Sequence, residues 1–125
     1  MNNKGQSLVL FVLVIPITFM VLLMVYDIGN MVLLKNELND INYLVVDYGI
    51  DVMTLDDKEE KVRELINKNK SDIDNIDINF EDDKIYVTLE DSVDMTAINN
   101  IKIFKIKSSY VGYIQNGEKI IERNK

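Results

Sequence analysis

The sequence contains no cysteine and no histidine, and this shortage of reactive side chains bounds its chemistry. Histidine is the usual general base and the commonest metal ligand, while cysteine supplies the thiol nucleophile and the disulfide. The adjacent Ser108 and Ser109 therefore have no histidine to activate them. We accordingly expect no enzyme, no cofactor, no metal centre and no disulfide in this chain.

The chain also has fewer basic than acidic residues, and it has only five glycines. Fourteen Lys and Arg stand against 21 Asp and Glu, which gives a formal net charge of −7. A chain with this charge repels nucleic acid and anionic membrane surfaces, because both carry dense negative charge. The five glycines form no recognised phosphate-binding loop. We expect neither a nucleic acid nor a small-molecule substrate as partner.

What the sequence does contain is a long uncharged run over residues 8–26, LVLFVLVIPITFMVLLMVY. At about 1.5 Å per residue this run matches a hydrocarbon core of about 30 Å, so we expect a transmembrane helix in the bilayer. A wholly buried helix of a soluble domain is the alternative. The run is too long for a secretory signal peptide, and no small-residue cleavage site follows it. Pro16 near its middle should bend or loosen the helix.

Three short motifs lie at the start, in the middle and at the end of this run. They are KGQSLVLF at residues 4–11, VIP at residues 14–16 and YDIGN at residues 26–30. Their order and spacing resemble the N-terminus of TadE-like proteins, the pseudopilins of the tight-adherence (Flp) pilus machinery. The resemblance covers about the first quarter of the chain. One position departs from the family pattern, because relatives usually carry Glu just before the aromatic residue and this chain has Leu10 before Phe11.

The resemblance implies a leader and an assembly helix. A membrane prepilin peptidase would remove residues 1–5 on the cytoplasmic side, cutting after Gly5 and leaving Gln6 as the mature N-terminus. The helix would then serve both as anchor and as assembly surface for other pilin-like subunits and the pilus assembly platform. The residues implied for this membrane assembly helix are Leu10, Phe11, Pro16, Asp27 and Gly29.

Apolar residues continue beyond the span at alternating spacings of three and four. Such spacing predicts one stripe along a helix, so we expect a single helix over about residues 7–53. The stripe can pack on the chain's own C-terminal domain, on neighbouring subunits, or on both over different segments. Its members are Met31, Leu34, Leu38, Ile41, Val45, Tyr48 and Val52.

A second, shorter helix is predicted directly after the first. Thr54 and Asp57 have the spacing of a capping box with Asp in place of Glu, and acidic residues crowd the expected first turn. Val62, Leu65 and Ile66 form its expected buried face.

Further along the chain the hydrophobic period changes to two, which is typical of half-buried strands. Two alternating segments joined by a turn over residues 81–84 predict a hairpin. The polar residues 92–100 can form one helical turn. Residues 101–114 indicate another strand, in which a phase change near the start favours either a bulge or a twist with both faces partly covered. Asn116 and Gly117 then predict a tight turn.

Together these patterns predict an α+β fold, with a long N-terminal transmembrane and amphipathic helix, a short second helix and a small C-terminal antiparallel sheet, and the resemblance implies that this fold is pilin-like. The resemblance also implies a leader over residues 1–5, and we assign a transmembrane helix to 6–26, its amphipathic continuation to 27–53 and an extracytoplasmic α+β domain to 54–125. Lys4 precedes the span and acidic residues follow it, which favours a cytoplasmic N-terminus.

Two functions follow as hypotheses. The leading one is a membrane-anchored minor pilin or pseudopilin, which contributes to assembly of a surface pilus or related secretion machine. The alternative is a plain single-pass membrane protein that keeps its leader and whose extracytoplasmic domain binds a partner or senses a signal. The mass of the mature N-terminal peptide discriminates between them.

Overall fold

The computed structural model describes residues 3–94 and 103–124, which form two helices followed by four strands. The strands form one antiparallel sheet in the order β1-β2-β3-β4. The predicted α+β class, with a long apolar N-terminal helix, a short second helix and a small antiparallel sheet, is confirmed. The elements are α1 Asn3–Asp51, α2 Lys58–Asn69, β1 Asn75–Glu81, β2 Lys84–Asp94, β3 Ile103–Gln115 and β4 Glu118–Arg123.

Helix α1 runs without interruption for 49 residues, and its second half supplies one side of the core. From Leu34 to Val52 the predicted apolar stripe packs on the chain's own domain, against β2, β3 and α2, whereas its first member Met31 is not part of this core. The buried surface is wider than the predicted stripe, because Asn42, Val46, Gly49 and Ile50 are buried beside it. Core side chains that are fully enclosed include Leu38, Val45, Val46, Val62, Ile66, Ile85 and Leu89.

Helix α2 begins later than the sequence predicts. It starts at Lys58, and Asp57 at the N-cap position makes no side-chain capping hydrogen bond, so the predicted capping box at Thr54 is wrong. The preceding residues form turns instead, in which the Leu55 N–H donates to the Val52 carbonyl at 2.9 Å. The predicted buried face is confirmed, with Val62 and Ile66 buried and Leu65 packed against the core.

Two tight turns connect the outer strands to the centre of the sheet. Asp82 and Asp83 both have positive φ, at 54° and 59°, and Glu81 pairs with Lys84 across them. Asn116 and Gly117 repeat this geometry with φ of 55° and 80°. Positive φ at both central residues is the requirement of a type I′ turn, so both predicted turns are confirmed.

The pairing of β2 with β3 is regular from end to end. Val93 pairs with Phe104 and Asp94 pairs with Ile103, with no extra residue between them, so a bulge at this point is wrong. Apolar side chains lie on both faces of β3, which explains the phase change in the sequence. Tyr110 packs against the core, and the next residue Val111 is half-buried on the opposite face.

The structure describes only part of the polar segment over residues 92–100. Ser92, Val93 and Asp94 belong to β2 rather than to a helical turn, so the strand is longer than the sequence predicts. The rest of the predicted helical turn, through residue 100, lies outside the described residues.

A buried amide ties α1 to the two central strands. Asn42 is fully enclosed, and its Nδ2 donates to the carbonyl oxygens of Val87 on β2 at 3.1 Å and Ser108 on β3 at 3.0 Å. The Oδ1 of the same amide is buried without a hydrogen-bond partner among the described residues, so only the Nδ2 bonds tie the helix to its position along the sheet.

Candidate membrane anchor and assembly surface

The N-terminal half of α1 projects from the domain with its apolar side chains uncovered. An 18-residue window of this helix has a mean hydropathy of 3.1, and none of it is buried inside the protein. It is therefore not a core helix of the folded domain. Its length and composition are sufficient for it to span a membrane.

The predicted cleavage site and the first assembly residues share the start of this helix. Gly5 and Gln6 are exposed and already helical, since α1 begins at Asn3. Leu10 and Phe11 lie next to each other with about 65% and 64% of their surface exposed. Residues spaced by three and four share one helix face, and a shallow groove of about 170 Å³ lies along it. The groove is lined by Ser7, Leu10, Phe11 and Val14.

Pro16 lies inside α1, where the helix continues on both sides of it. A proline cannot donate the hydrogen bond that the Val12 carbonyl would receive in a regular helix. Two residues later, the Thr18 Oγ1 donates to the Val14 carbonyl at 2.8 Å. Such a back-bond often accompanies a bend in a helix, as does a proline in the helix interior.

The two remaining residues predicted for the assembly helix lie near the junction of the apolar helix half and the domain. Asp27 is fully buried although its neighbours Tyr26 and Ile28 are more than half exposed. Gly29 faces open space, so no close contact at this position requires a glycine. Asp27 stands about 25 Å along the axis from Leu10, and the structure therefore gathers only Leu10 and Phe11 into one local surface.

Beyond the anchor, one face of α1 remains uncovered while the opposite face packs on the sheet. Tyr43 is about half exposed and meets Tyr110 edge-on, with ring centroids 6.4 Å apart. An apolar helix face that continues from anchor to domain can contact both lipid and a second helix. Its exposed large apolar side chains are Ile28, Val32, Leu33, Tyr43 and Leu44.

Two lysines hold the domain to α1 through carboxylates. Lys70 Nζ lies 3.7 Å from Glu37, 3.5 Å from Asp72 and 3.8 Å from Asp91. Burial alone would lower the pKa of Lys70, but the three carboxylates outweigh it and the pKa is raised. On the other side of the domain, hydrogen bonds from Lys119 to Asp51 and Asp47 raise the pKa of Lys119.

Sequence reasoning missed a basic cleft between α1 and the end of β4. It has a volume of about 390 Å³, and the residues lining it come from three elements that are far apart in the chain. No sequence motif could have indicated it, because the pairing of β3 with β4 and the packing of α1 create it. The lining residues are Lys35, Asn39, Lys107, Ser109, Arg123 and Asn124.

The fold and the uncovered apolar surface of α1 define a class of protein. It is a small α+β domain joined to a helix that is long and apolar enough to cross a membrane. Comparison with protein-family models, with curated proteins and with solved structures finds no match for this chain.

Proposed function

We propose that this protein is a TadE-like pseudopilin or minor pilin, anchored in the membrane by α1 and contributing to assembly of a surface pilus or related secretion machine. One observation carries the proposal. A single helix of 49 residues is bare along its first half and covered on one face by a sheet along its second half. That arrangement supplies an anchor and an uncovered assembly face in one continuous helix. The chemistry is structural, without catalysis.

The proposal includes a topology and a processing step. The N-terminus lies in the cytoplasm and the α+β domain lies outside it, where the domain can enter a surface assembly. A prepilin peptidase cuts between Gly5 and Gln6, both of which are exposed. The partners are then the bilayer, other pilin-like subunits and the assembly platform.

A second candidate function is favoured by a specific observation. Because α1 begins at Asn3, the Gly5–Gln6 bond lies inside a helical turn rather than in an extended leader. A chain that keeps this turn intact would be a plain single-pass membrane protein whose domain binds a partner or senses a signal. The fate of the leader separates the two functions.

The first test is the mass of the N-terminal peptide. In cells that contain a matching prepilin peptidase, we expect the mature protein to begin at Gln6. Gly5→Val should block cleavage, because it places a branched side chain next to the scissile bond. Gly29→Val is the matched control, since both glycines face open space and both lie on α1. An intact leader in the wild-type protein would support the single-pass alternative.

A further prediction concerns Leu10, which leaves the amino terminus of a neighbouring pilin-like subunit without an acidic partner in the membrane. We expect the wild-type protein to form no long homopolymer and Leu10→Glu to increase crosslinking to pilin-like subunits with a free amino terminus. A carboxylate costs about 2.5–3.5 kcal/mol at the bilayer centre and less near the interface, so the variant should still insert.

Leu8→Glu provides the matched control for this experiment. Leu8 is as exposed as Leu10, at 66% against 65%, but it does not line the groove that contains Leu10 and Phe11. The measurement is crosslinking in membranes together with electron microscopy of sheared surface material. Long filaments made mainly of wild-type protein, or equal crosslinking by both variants, would contradict the prediction.

A further inference from the structure

A second cleft, the distal cleft, lies at the end of the domain that is farthest from the apolar half of α1. Gly112 on β3 faces Val46 and Ile50 of α1, and Ile114 lies on the same face because side chains alternate along a strand. Helix α1 ends at Asp51, so the sheet extends beyond it at this end. The distal cleft has a volume of about 600 Å³ and is lined by Ile50, Met53, Thr54, Asp83 and Ile114.

The floor of the distal cleft is apolar. Ile50 is buried and Met53 packs at the edge of the core, whereas 59% of the Ile114 surface is exposed. Ile114 is exposed because α1 ends before it can cover this part of the sheet. The volume falls within the range of about 300–1,000 Å³ that is usual for ligand sites. The floor therefore offers an open apolar surface to a side chain of another molecule.

A carboxylate stands at the edge of this floor. Ile85 pairs with Gly112, so Asp83 and Ile114 lie at the same level, two residues beyond that pair on neighbouring strands. Among the described residues, Asp83 forms no ion pair, and no basic side chain lines the distal cleft. Lys58 and Lys84, on the other side of Asp83, lie over the rings of Phe80 and Tyr113 instead.

The surroundings of the distal cleft add further negative charge. The C-terminal end of α1 carries the negative end of the helix dipole, and its last turn contains no basic residue. Lys119, which pairs with Ile114 in the sheet, lies 3.1 Å from Asp47 and 2.7 Å from Asp51. One ammonium is thus shared by two carboxylates, which leaves this end of the domain negative.

The turn that carries Asp83 supports the same interpretation. Both tight turns of the sheet need positive φ, and Asn116 and Gly117 satisfy this geometry with little strain. Asp82 and Asp83 adopt the same geometry less readily. The turn beside the distal cleft therefore holds two negative charges at a conformational cost that the other turn avoids.

We propose that the distal cleft binds a lysine or arginine side chain of a protein partner, presented beside an apolar residue of that partner. The methylene stem of such a side chain would cover the apolar floor, and its charged end would reach Asp83 and the end of α1. An acidic side chain would be repelled. A neutral side chain would leave the Asp83 carboxylate without a counter-ion.

The position of the distal cleft favours a protein over a lipid as the partner. Ile50 lies about 36 Å beyond Tyr26 along the helix axis, at about 1.5 Å per residue. The headgroup layer extends only about 5–8 Å from the hydrocarbon core on each side. The distal cleft is therefore out of reach of a bilayer in which residues 8–26 are embedded. This inference does not depend on leader cleavage or on a role in a pilus.

The test uses methionine methyl groups as reporters. Met53 lines the distal cleft, whereas Met31 lies near the apolar half of α1 and serves as an internal control. The full chain, labelled with ¹³C-methyl methionine, is placed in phosphatidylcholine nanodiscs and titrated at constant ionic strength with a blocked tripeptide that has lysine between two leucines. A second tripeptide with glutamine in place of the lysine tests the contribution of charge.

We expect the lysine peptide to shift the Met53 signal saturably, with no comparable shift of Met31 and a much smaller effect of the glutamine peptide. Asp83→Asn should weaken binding of the lysine peptide about tenfold, because it removes a charge-assisted hydrogen bond while asparagine tolerates positive φ. Asp82→Asn is the matched control, since it removes the same charge from the same turn but Asp82 does not line the distal cleft. Equal shifts with the two peptides, equal shifts of the two methionines, equal effects of the two variants, or no shift of Met53 would overturn the proposal.

Discussion

Replacement of Gly112 by alanine is expected to lower the free energy of unfolding of the α+β domain by about 1–3 kcal/mol. A Cβ at this position would lie 2.3 Å from Val46 Cγ1 and 3.0 Å from Ile50 Cδ1. Val46 is fully buried on α1 and β-branched, so its side chain cannot rotate away without a new clash. The helix or the strand has to shift instead, which disturbs the closest contact between α1 and β3.

Gly49→Ala is the matched control for this prediction. A Cβ there would lie 2.1 Å from Ile85 Cδ1, the terminal methyl of a longer side chain. Alanine also stabilises a helix interior by about 1 kcal/mol relative to glycine, which offsets part of the strain. We expect a clearly smaller loss than for Gly112→Ala. The measurement is thermal unfolding of the full chain in one detergent, followed by near-ultraviolet circular dichroism of the tyrosines, and equal losses would contradict the prediction.

The elements of this fold that sequence could predict are those specified by local chemistry. The stripe along α1 follows from its spacing alone, and the Asn116–Gly117 turn follows from the tolerance of both residues for positive φ. The turn between β1 and β2 has Asp82 and Asp83 at its centre, and both lie within the turn predicted over residues 81–84. These features need no knowledge of what packs against them, so periodicity and turn chemistry were sufficient.

The features that sequence missed depend on partners far away in the chain. Gly49 and Gly112 look like weak points in a helix and a strand, yet each permits a close approach between α1 and the sheet. Asn42 looks like a surface residue until its amide meets the carbonyls of β2 and β3. The basic cleft is missed for the same reason, because Lys35 and Lys107 are 72 residues apart.

The predicted start of α2 is wrong for a different reason. Thr54 and Asp57 satisfy the capping spacing, but the chain first has to turn away from the end of α1 at Asp51. That turn occupies the residues that the capping box would need. The Asp57 Oδ2 lies 3.8 Å from the Lys61 Nζ and does not cap the helix. A local signal was overridden by the path that the chain takes between two packed helices.

Lys70→Met is expected to have the other large effect on stability, lowering the free energy of unfolding by about 2–3 kcal/mol. The variant would remove the cation that lies among Glu37, Asp72 and Asp91. Asp91 is only 7% exposed, so its carboxylate would lose a close counter-ion while remaining largely out of water. Removal of one partner from a fully buried pair costs about 3–5 kcal/mol, and exposure of the other two carboxylates reduces that cost here.

Lys61→Met is the matched control, since it removes an exposed pair with Asp57 and should cost at most about 1 kcal/mol. The pKa of Lys70 is raised in the folded protein, so its contribution is complete at pH values below the ordinary lysine pKa. The contribution is lost as pH rises through the raised pKa. The difference in unfolding free energy between wild type and Lys70→Met should therefore be constant at neutral pH and shrink only under strongly alkaline conditions. A difference that persists unchanged under strongly alkaline conditions would instead show that Lys70 stabilises the domain by packing rather than by charge.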